Sequence, residues 1–184
     1  QRRLRRLFPG GRQALLDPLT GVPNRRRFEA DFDREWRRCT EEARPVGLLI
    51  VDIDEFKRYN DGYGHLGGDR CLQQVAALLG SVARREGVDV ARLGGEEFGV
   101  LLPGACVLEA ERVGRALCEA VRRAAIEHRH SAVADAVTVS VGAAAVMPDC
   151  GATPAELLTR ADAALYRAKA AGRNRVIAAA PSPA

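Results

Sequence analysis

Residues 90–103, VARLGGEEFGVLLP, leave the chain little choice of local structure. Val90, Leu93, Phe98, Val100, Leu101 and Leu102 belong to the types that fit a pleated, half-buried surface. The Gly94–Gly95 pair between these two runs is a hairpin signal, because glycine reaches the positive φ angles that tight hairpin turns require. A sheet is therefore part of the fold. The turn needs its glycines, yet nothing in turn geometry asks for Glu96 and Glu97. They place two carboxylates at the tip, beside backbone that no side chain obstructs. A solvated turn and a site for metal and phosphate both satisfy the pattern.

The rest of the chain supplies partners for that hairpin. Residues 46–53, VGLLIVDI, form a short apolar run with β-branched members, consistent with a buried central strand, and Asp52 interrupts it where the strand should leave the core. Residues 54–70, DEFKRYNDGYGHLGGDR, are dense in Gly, Asp and Asn and read as a loop, followed by a helix through Cys71, Leu72, Val75, Ala76, Leu78 and Leu79. In DPLTGVPNRRRF (17–28), turn chemistry leads into a helix that carries Phe28, Phe32 and Trp36 on one face. Residues 107–127 have helical periodicity, and VTVSVGAAAV (137–146) reads as another strand. Thr153 as N-cap, Pro154 in the first turn and Gly172 as a stop bracket a last amphipathic helix. The order helix, strand, helix, hairpin, helix, strand, helix specifies an α/β (α+β) domain with helices packed on a central mixed sheet.

Composition sets the outer bounds. The chain has 184 residues, 47% hydrophobic and 28% charged, which is enough for one domain with a core of its own. No apolar run approaches a membrane span and no signal peptide is visible, so the expectation is a cytoplasmic domain that makes no membrane contact itself. The chain opens at Gln1, and the reading expects an upstream sensor or regulatory region, with residues 1–16 as linker, 17–177 as the domain and 178–184 as a flexible tail. Five scattered cysteines (Cys39, Cys71, Cys106, Cys118, Cys150) without a C-x-x-C pair read as small buried hydrophobes rather than a disulfide framework or a zinc site. His128 and His130 sit in a polar connection and read as surface loop. The net charge of +4 comes largely from the Arg-rich opening, and no aromatic stripe accompanies it, so nucleic-acid binding is not expected.

Of the 28 basic residues, only Lys57 and Lys169 are lysines. Nearly every positive position has become arginine, so two surviving lysines mark places where a compact ammonium is wanted, unless they survive by chance. Asp52 at a strand end, Glu96 and Glu97 at the hairpin tip, and Lys169 with Arg173 late on the last helix converge if the strands are neighbours. Carboxylates aimed at one point repel unless a cation lies between them. Mg²⁺ takes one or two protein carboxylates and fills its octahedron with phosphate oxygens and water. Lys169 and Arg173, four apart, share a helical face that can grip a polyphosphate. Each part alone has a plainer reading: a strand-end cap, an acidic turn, a cationic helix end opposing its dipole.

Five motifs in order, DPLTGVPNRRRF, VDIDEFKRYNDGYGHLGGD, ARLGGEEF, VTVSVG and ADAALYRAKAAGRNRV, resemble those of GGDEF-domain diguanylate cyclases over nearly all of residues 17–177. The resemblance implies a largely antiparallel sheet like that of nucleotidyl cyclases and polymerase palms. It also implies condensation of two GTP into cyclic di-GMP and two pyrophosphates by a homodimer with one GTP per protomer. Carried across by position, Asp52, the Ile53 carbonyl and Glu96 hold Mg²⁺ (or Mn²⁺), with Glu97 in support. Asn60 and Asp69 read guanine, and His65 lies in the same substrate segment. Lys57, Lys169 and Arg173 contact phosphates, while Gly94 and Gly95 let backbone approach the nucleotide. Glu96 is either the base or only a metal holder; the two roles are not separable from sequence. The rival reading is a catalytically silent module that senses GTP or cyclic di-GMP. One departure stands out: the family's product-inhibition motif, R-x-x-D, has Val88 where its Asp belongs, while Arg85 and Asp89 are spaced one residue too wide. That site is expected to be absent or damaged.

Overall fold

A computed structural model describes residues 15–148 and 151–180. Its elements are α1 (Arg25–Glu41), β1 (Val46–Ile53), α2 (Phe56–Arg85), β2 (Val90–Gly94), β3 (Glu97–Pro103), α3 (Val107–Arg123), β4 (Val139–Val146), α4 (Pro154–Ala170) and β5 (Val176–Ala178). The strands form one sheet in the order β2-β3-β1-β4-β5. Its first four strands pair antiparallel, and only β4 and β5 run parallel. The mixed, largely antiparallel sheet flanked by helices is the architecture expected.

β1 is central because its VGLLIVDI run has no polar face until Asp52: all eight residues are buried. Alternation sends Leu49, Val51 and Ile53 into the layer of α2 and α3, and Leu48 and Ile50 into the layer of α1 and α4. Burying each such side chain stabilises by about 1.5–3 kcal/mol, so the middle strand anchors both layers. Phe28, Phe32 and Trp36 do share one face of α1, with ring centroids 6.0 and 5.9 Å apart in succession. Asn24 and Thr153 accept the capping hydrogen bonds of α1 and α4, from the Arg27 and Glu156 amides.

Four readings need correction. Residues 56–70, read as loop, are helical, and α2 runs for 30 residues with one break at Gly64 (φ 74°, ψ 166°). The reason is aromatic packing: Phe56, Tyr59 and Tyr63 stack along the first turns at 6.2 and 4.6 Å. Their burial outweighs the weak helix propensity of Asn, Asp and Gly, which costs roughly 1 kcal/mol or less per residue. His128 is not in an exposed loop but 1% exposed, edge-on to Tyr59 at 5.0 Å. Cys39, Cys71 and Cys118 are buried as expected, whereas Cys106 is exposed, its N–H donating to Glu109 at the start of α3; Cys150 lies outside the described residues. Finally β5, too short to signal itself, carries the fold past residue 177: the Ala179 N–H donates to the Ala143 carbonyl and Ala179 is buried. At the other end Leu15 and Leu16, read as linker, bond to Asn24 and bridge to Pro23, while residues 1–14 and 181–184 of the expected linker and tail lie outside the described residues.

Candidate active site

The register of β1 against β3 sets Asp52 directly opposite Glu97. Gly94 pairs with Glu97, so Gly95 and Glu96 alone form the turn. Gly95 stands at φ +50°, where a side chain is disfavoured, and a β-carbon on Gly94 or Gly95 would meet nothing within 4 Å. The space above the tip is open to a ligand. The Glu96 carbonyl accepts from the Ile53 N–H at 3.3 Å, which fastens the tip to the end of β1.

A second tether comes from the DPLT motif. The Arg92 guanidinium donates to the Gly95 carbonyl at 2.8 and 3.0 Å and pairs with Asp17 at 3.1 Å. Asp17 in turn accepts from the Thr20 amide (2.8 Å) and hydroxyl (2.6 Å). Burial works against its charge, but these hydrogen bonds and Arg92 hold its carboxyl below the usual range. Neither residue stood out in the sequence as part of the site. The only signal was an acid and an arginine inside quoted motifs, 75 residues apart.

Asp52 is the group under most tension. It is 6% exposed, and burial pushes its pKa up to about 6, aided by Glu96 and Glu97 and opposed by Lys169, whose Nζ lies 2.9 Å from Oδ1. Lys169 reaches it because α4 lies flat on β4, where Gly142 leaves room for the Ala161 carbonyl to pass. Among the described residues no three His, Cys, Asp or Glu side chains gather closely enough to cage a metal by themselves. Asp52, Glu96 and Glu97 thus do not make a closed all-protein site. A partial set of hard oxygen ligands, open on one side and next to cationic groups, suits Mg²⁺, which keeps water and phosphate oxygens in its shell.

The β1–α2 junction and the α4–β5 turn complete the rim. Glu55 adopts a left-handed conformation (φ 55°) and its carboxylate pairs with Arg58 at 3.0 Å and Arg173 at 3.4 Å. Its carbonyl lies 3.2 Å from Nε2 of His128. The Asn60 side chain packs so closely on Gly68 that no β-carbon fits there, which brings Asn60 beside the residue preceding Asp69 across the Gly64 break. Lys57, His65 and Asp69 are exposed along α2, and no hydrogen bond or ion pair ties them to the carboxylates. The structure thus joins Asp52, Glu97, Lys169 and the Glu96 backbone, puts Arg173 next to the β1–α2 junction, and leaves Lys57, His65 and Asp69 facing solvent. Sequence reasoning passed over Asp54, buried just beyond Asp52 in the same motif.

With that geometry, comparison with known proteins is decisive. The family profile described as "Diguanylate cyclase, GGDEF domain" matches residues 14–175. The chain belongs to the GGDEF diguanylate cyclase family. It is 39% identical to the response regulator PleD of Caulobacter vibrioides over 165 residues, covering 89% of this chain and 36% of PleD. It is 40% identical to diguanylate cyclase DgcP of Pseudomonas aeruginosa over 164 residues, again 89% of this chain but 24% of DgcP. The chain therefore spans about a third or less of the length of these relatives. Among solved structures, the GGDEF domain of DgcB from Caulobacter crescentus, in complex with c-di-GMP, superposes with a TM-score of 0.82 at 36% identity, covering 93% of this chain and 96% of that one. The active GGEEF domain of a Vibrio cholerae diguanylate cyclase gives 0.73 at 32% identity, covering 86% and 98%. This GGDEF domain carries the same GGEEF form of the signature, at residues 94–98. Among the described residues no helix is long and apolar enough to cross a membrane.

Proposed function

We propose that this GGDEF domain is a diguanylate cyclase that condenses two GTP into cyclic di-GMP and two pyrophosphates. The observation that carries the reading is the pairing of Asp52 with Glu97 under an open Gly94–Gly95–Glu96 tip, with Lys169 at 2.9 Å from Asp52. Acid and base groups, hard-oxygen ligands and a phosphate-binding cation meet there at one sheet edge.

Asp52, the Ile53 carbonyl and Glu96 hold Mg²⁺ or Mn²⁺, with Glu97 beside them. When bound, that ion neutralises phosphate charge and makes a nearby hydroxyl more acidic. The chain's own groups do the rest. Asn60 and Asp69 take the guanine edge: a carboxylate accepts from the adjacent N1 and N2 donors. Lys57, Lys169 and Arg173 hold the triphosphate and stabilise the departing pyrophosphate. The 3′-oxygen of one GTP attacks the α-phosphorus of the other, and the bond to the β-phosphate bridging oxygen breaks. The hydroxyl proton leaves to Glu96 or to water. Repeating the step in the other direction closes the ring. One site binds one GTP, so two protomers face each other about a two-fold axis, each presenting its nucleotide to the other. Control of that pairing falls to an upstream region, in keeping with the greater length of the curated relatives.

The test is direct. Purified protein, shown to be dimeric by light scattering, is incubated with GTP and Mg²⁺ and the nucleotides are separated by chromatography. Cyclic di-GMP and two equivalents of pyrophosphate are expected. Unchanged GTP in a dimeric sample would favour a silent sensor module instead.

A further inference from the structure

Asp54 is 2% exposed and its carboxylate is fully engaged by the protein. It accepts from the Thr138 hydroxyl at 2.7 Å, the Ser140 hydroxyl at 2.6 Å and the Asn174 N–H at 3.0 Å. Its own N–H donates to the Thr138 carbonyl at 2.9 Å. These partners lie in and just before β4 and in the turn between α4 and β5. A carboxylate with three donors is well satisfied, and it has little left to offer a metal.

The third of those bonds falls on an unusual piece of backbone. Arg173 and Asn174 are consecutive non-glycine residues at φ +64° and +48°. Such conformations persist only where the surroundings over-determine them. Here the Arg173 N–H donates to the Ala168 carbonyl, closing the end of α4, and Asp54 captures the next N–H. The turn that results aims Arg173 back across the β1–α2 junction, where its guanidinium meets the Glu55 carboxylate at 3.4 Å. A relaxed turn would swing that side chain away.

We propose that Asp54 is a positioning residue: by holding the Asn174 N–H it keeps the 173–174 turn left-handed and so holds Arg173 where it can meet the substrate's triphosphate. The identity of that anion rests on the reading above; the mechanical link between Asp54 and Arg173 does not. Asp54 then differs in kind from Asp52. One carboxylate faces the ligand, while the other, two residues on, ties the ligand's cationic clamp to the sheet.

The experiment is calorimetric titration of a non-hydrolysable GTP analogue with Mg²⁺ into the whole chain. A charge-assisted phosphate contact contributes about 1.5–3 kcal/mol, so Asp54→Ala is expected to weaken binding roughly tenfold or more. Arg173→Ala should do the same, and the double variant should be no weaker than Arg173→Ala alone. Lys169→Ala, by contrast, should add its loss to that of Asp54→Ala, which general damage to the site would not distinguish. Asp54→Asn keeps the shape and an acceptor for the Asn174 N–H, and it should bind the analogue within about threefold of the unsubstituted chain. Asn174→Pro, in the turn itself, forbids positive φ and removes the N–H, so it serves if Asp54→Ala does not fold; it too should be non-additive with Arg173→Ala. Additive losses with Arg173→Ala would overturn the proposal. So would loss of Mg²⁺-dependent binding in Asp54→Asn, which would make Asp54 a metal ligand. If the unsubstituted chain fails to bind the analogue, it is the GTP reading that falls, not the Asp54 link.

Discussion

Glu96 sits in a two-residue turn whose backbone is fastened from two sides, by the Ile53 N–H and by Arg92 on the Gly95 carbonyl. Its side chain can therefore change without moving the chain. Glu96→Gln is expected to keep the melting temperature and to lower cyclic di-GMP formation by about 10²–10³ or more, since one preorganised charge is lost; near-normal turnover would remove Glu96 from the mechanism. Asp69→Asn replaces an acceptor with a partial donor facing guanine's own donors, a mismatch of roughly 1–3 kcal/mol, so competition between GTP and ATP should show a narrowed preference. A third residue-scale effect concerns pH. The Asp17 carboxyl titrates below its ordinary value of 3.8 in the folded chain, so its contribution is present above that value and lost as pH falls through the lower, folded one. Asp17→Asn should flatten the acid limb of a stability-versus-pH curve measured by denaturant unfolding. An unchanged acid limb would show that the Asp17–Arg92 pair adds nothing.

At the scale of elements, what the sequence disclosed followed how local each signal was. The hairpin, β1 and the caps at Asn24 and Thr153 are written in adjacent residues, and all are where the pattern puts them. The first half of α2 is not, because Gly, Asp and Asn hide the Phe56–Tyr59–Tyr63 stack that makes it helical. β5 and the Arg92–Asp17 tether were invisible for the same reason: they exist only through contacts with segments distant in sequence. Of the site, the chemistry-bearing side chains were legible and their supports were not. His128 is the clearest such support. Burial lowers its pKa, opposed by the bond to the Glu55 carbonyl, which favours a neutral ring with the proton on Nε2. His128→Leu leaves that carbonyl without a donor, and a buried unsatisfied group costs about 1–3 kcal/mol. The expected result is a lower denaturation midpoint with a raised KM for GTP, both largely recovered in His128→Gln, whose amide can donate in its place. Equal losses in the two variants would mean that only the packing against Tyr59 matters.

For the whole molecule, the point of departure from its relatives lies at the far end of α2. Helix α2 ends at Arg85, Gly87 turns the chain at φ +73°, and Val88 packs partly buried against the core where a product-binding carboxylate is expected from the family pattern. Asp89, one residue on, could substitute only by reaching toward Arg85. Instead it lies 3.4 Å from Arg27 of α1, and the neighbouring Glu86 is held by Arg112 of α3 at 2.7 Å. The shift in register is thus accompanied by new partners, and those partners belong to other helices. Both ion pairs are largely exposed and individually weak, so they do not lock the region; the stronger obstacle is the missing carboxylate itself. Product should therefore bind weakly away from the active site, and cyclic di-GMP should accumulate linearly well past micromolar levels in the GTP assay. The decisive measurement is calorimetric titration of cyclic di-GMP with the active site filled by a non-hydrolysable GTP analogue. Weak or absent heat is expected, unchanged in Arg85→Ala. Tight binding that disappears in Arg85→Ala would show that Arg85 and Asp89 still form a working inhibitory site at their wider spacing.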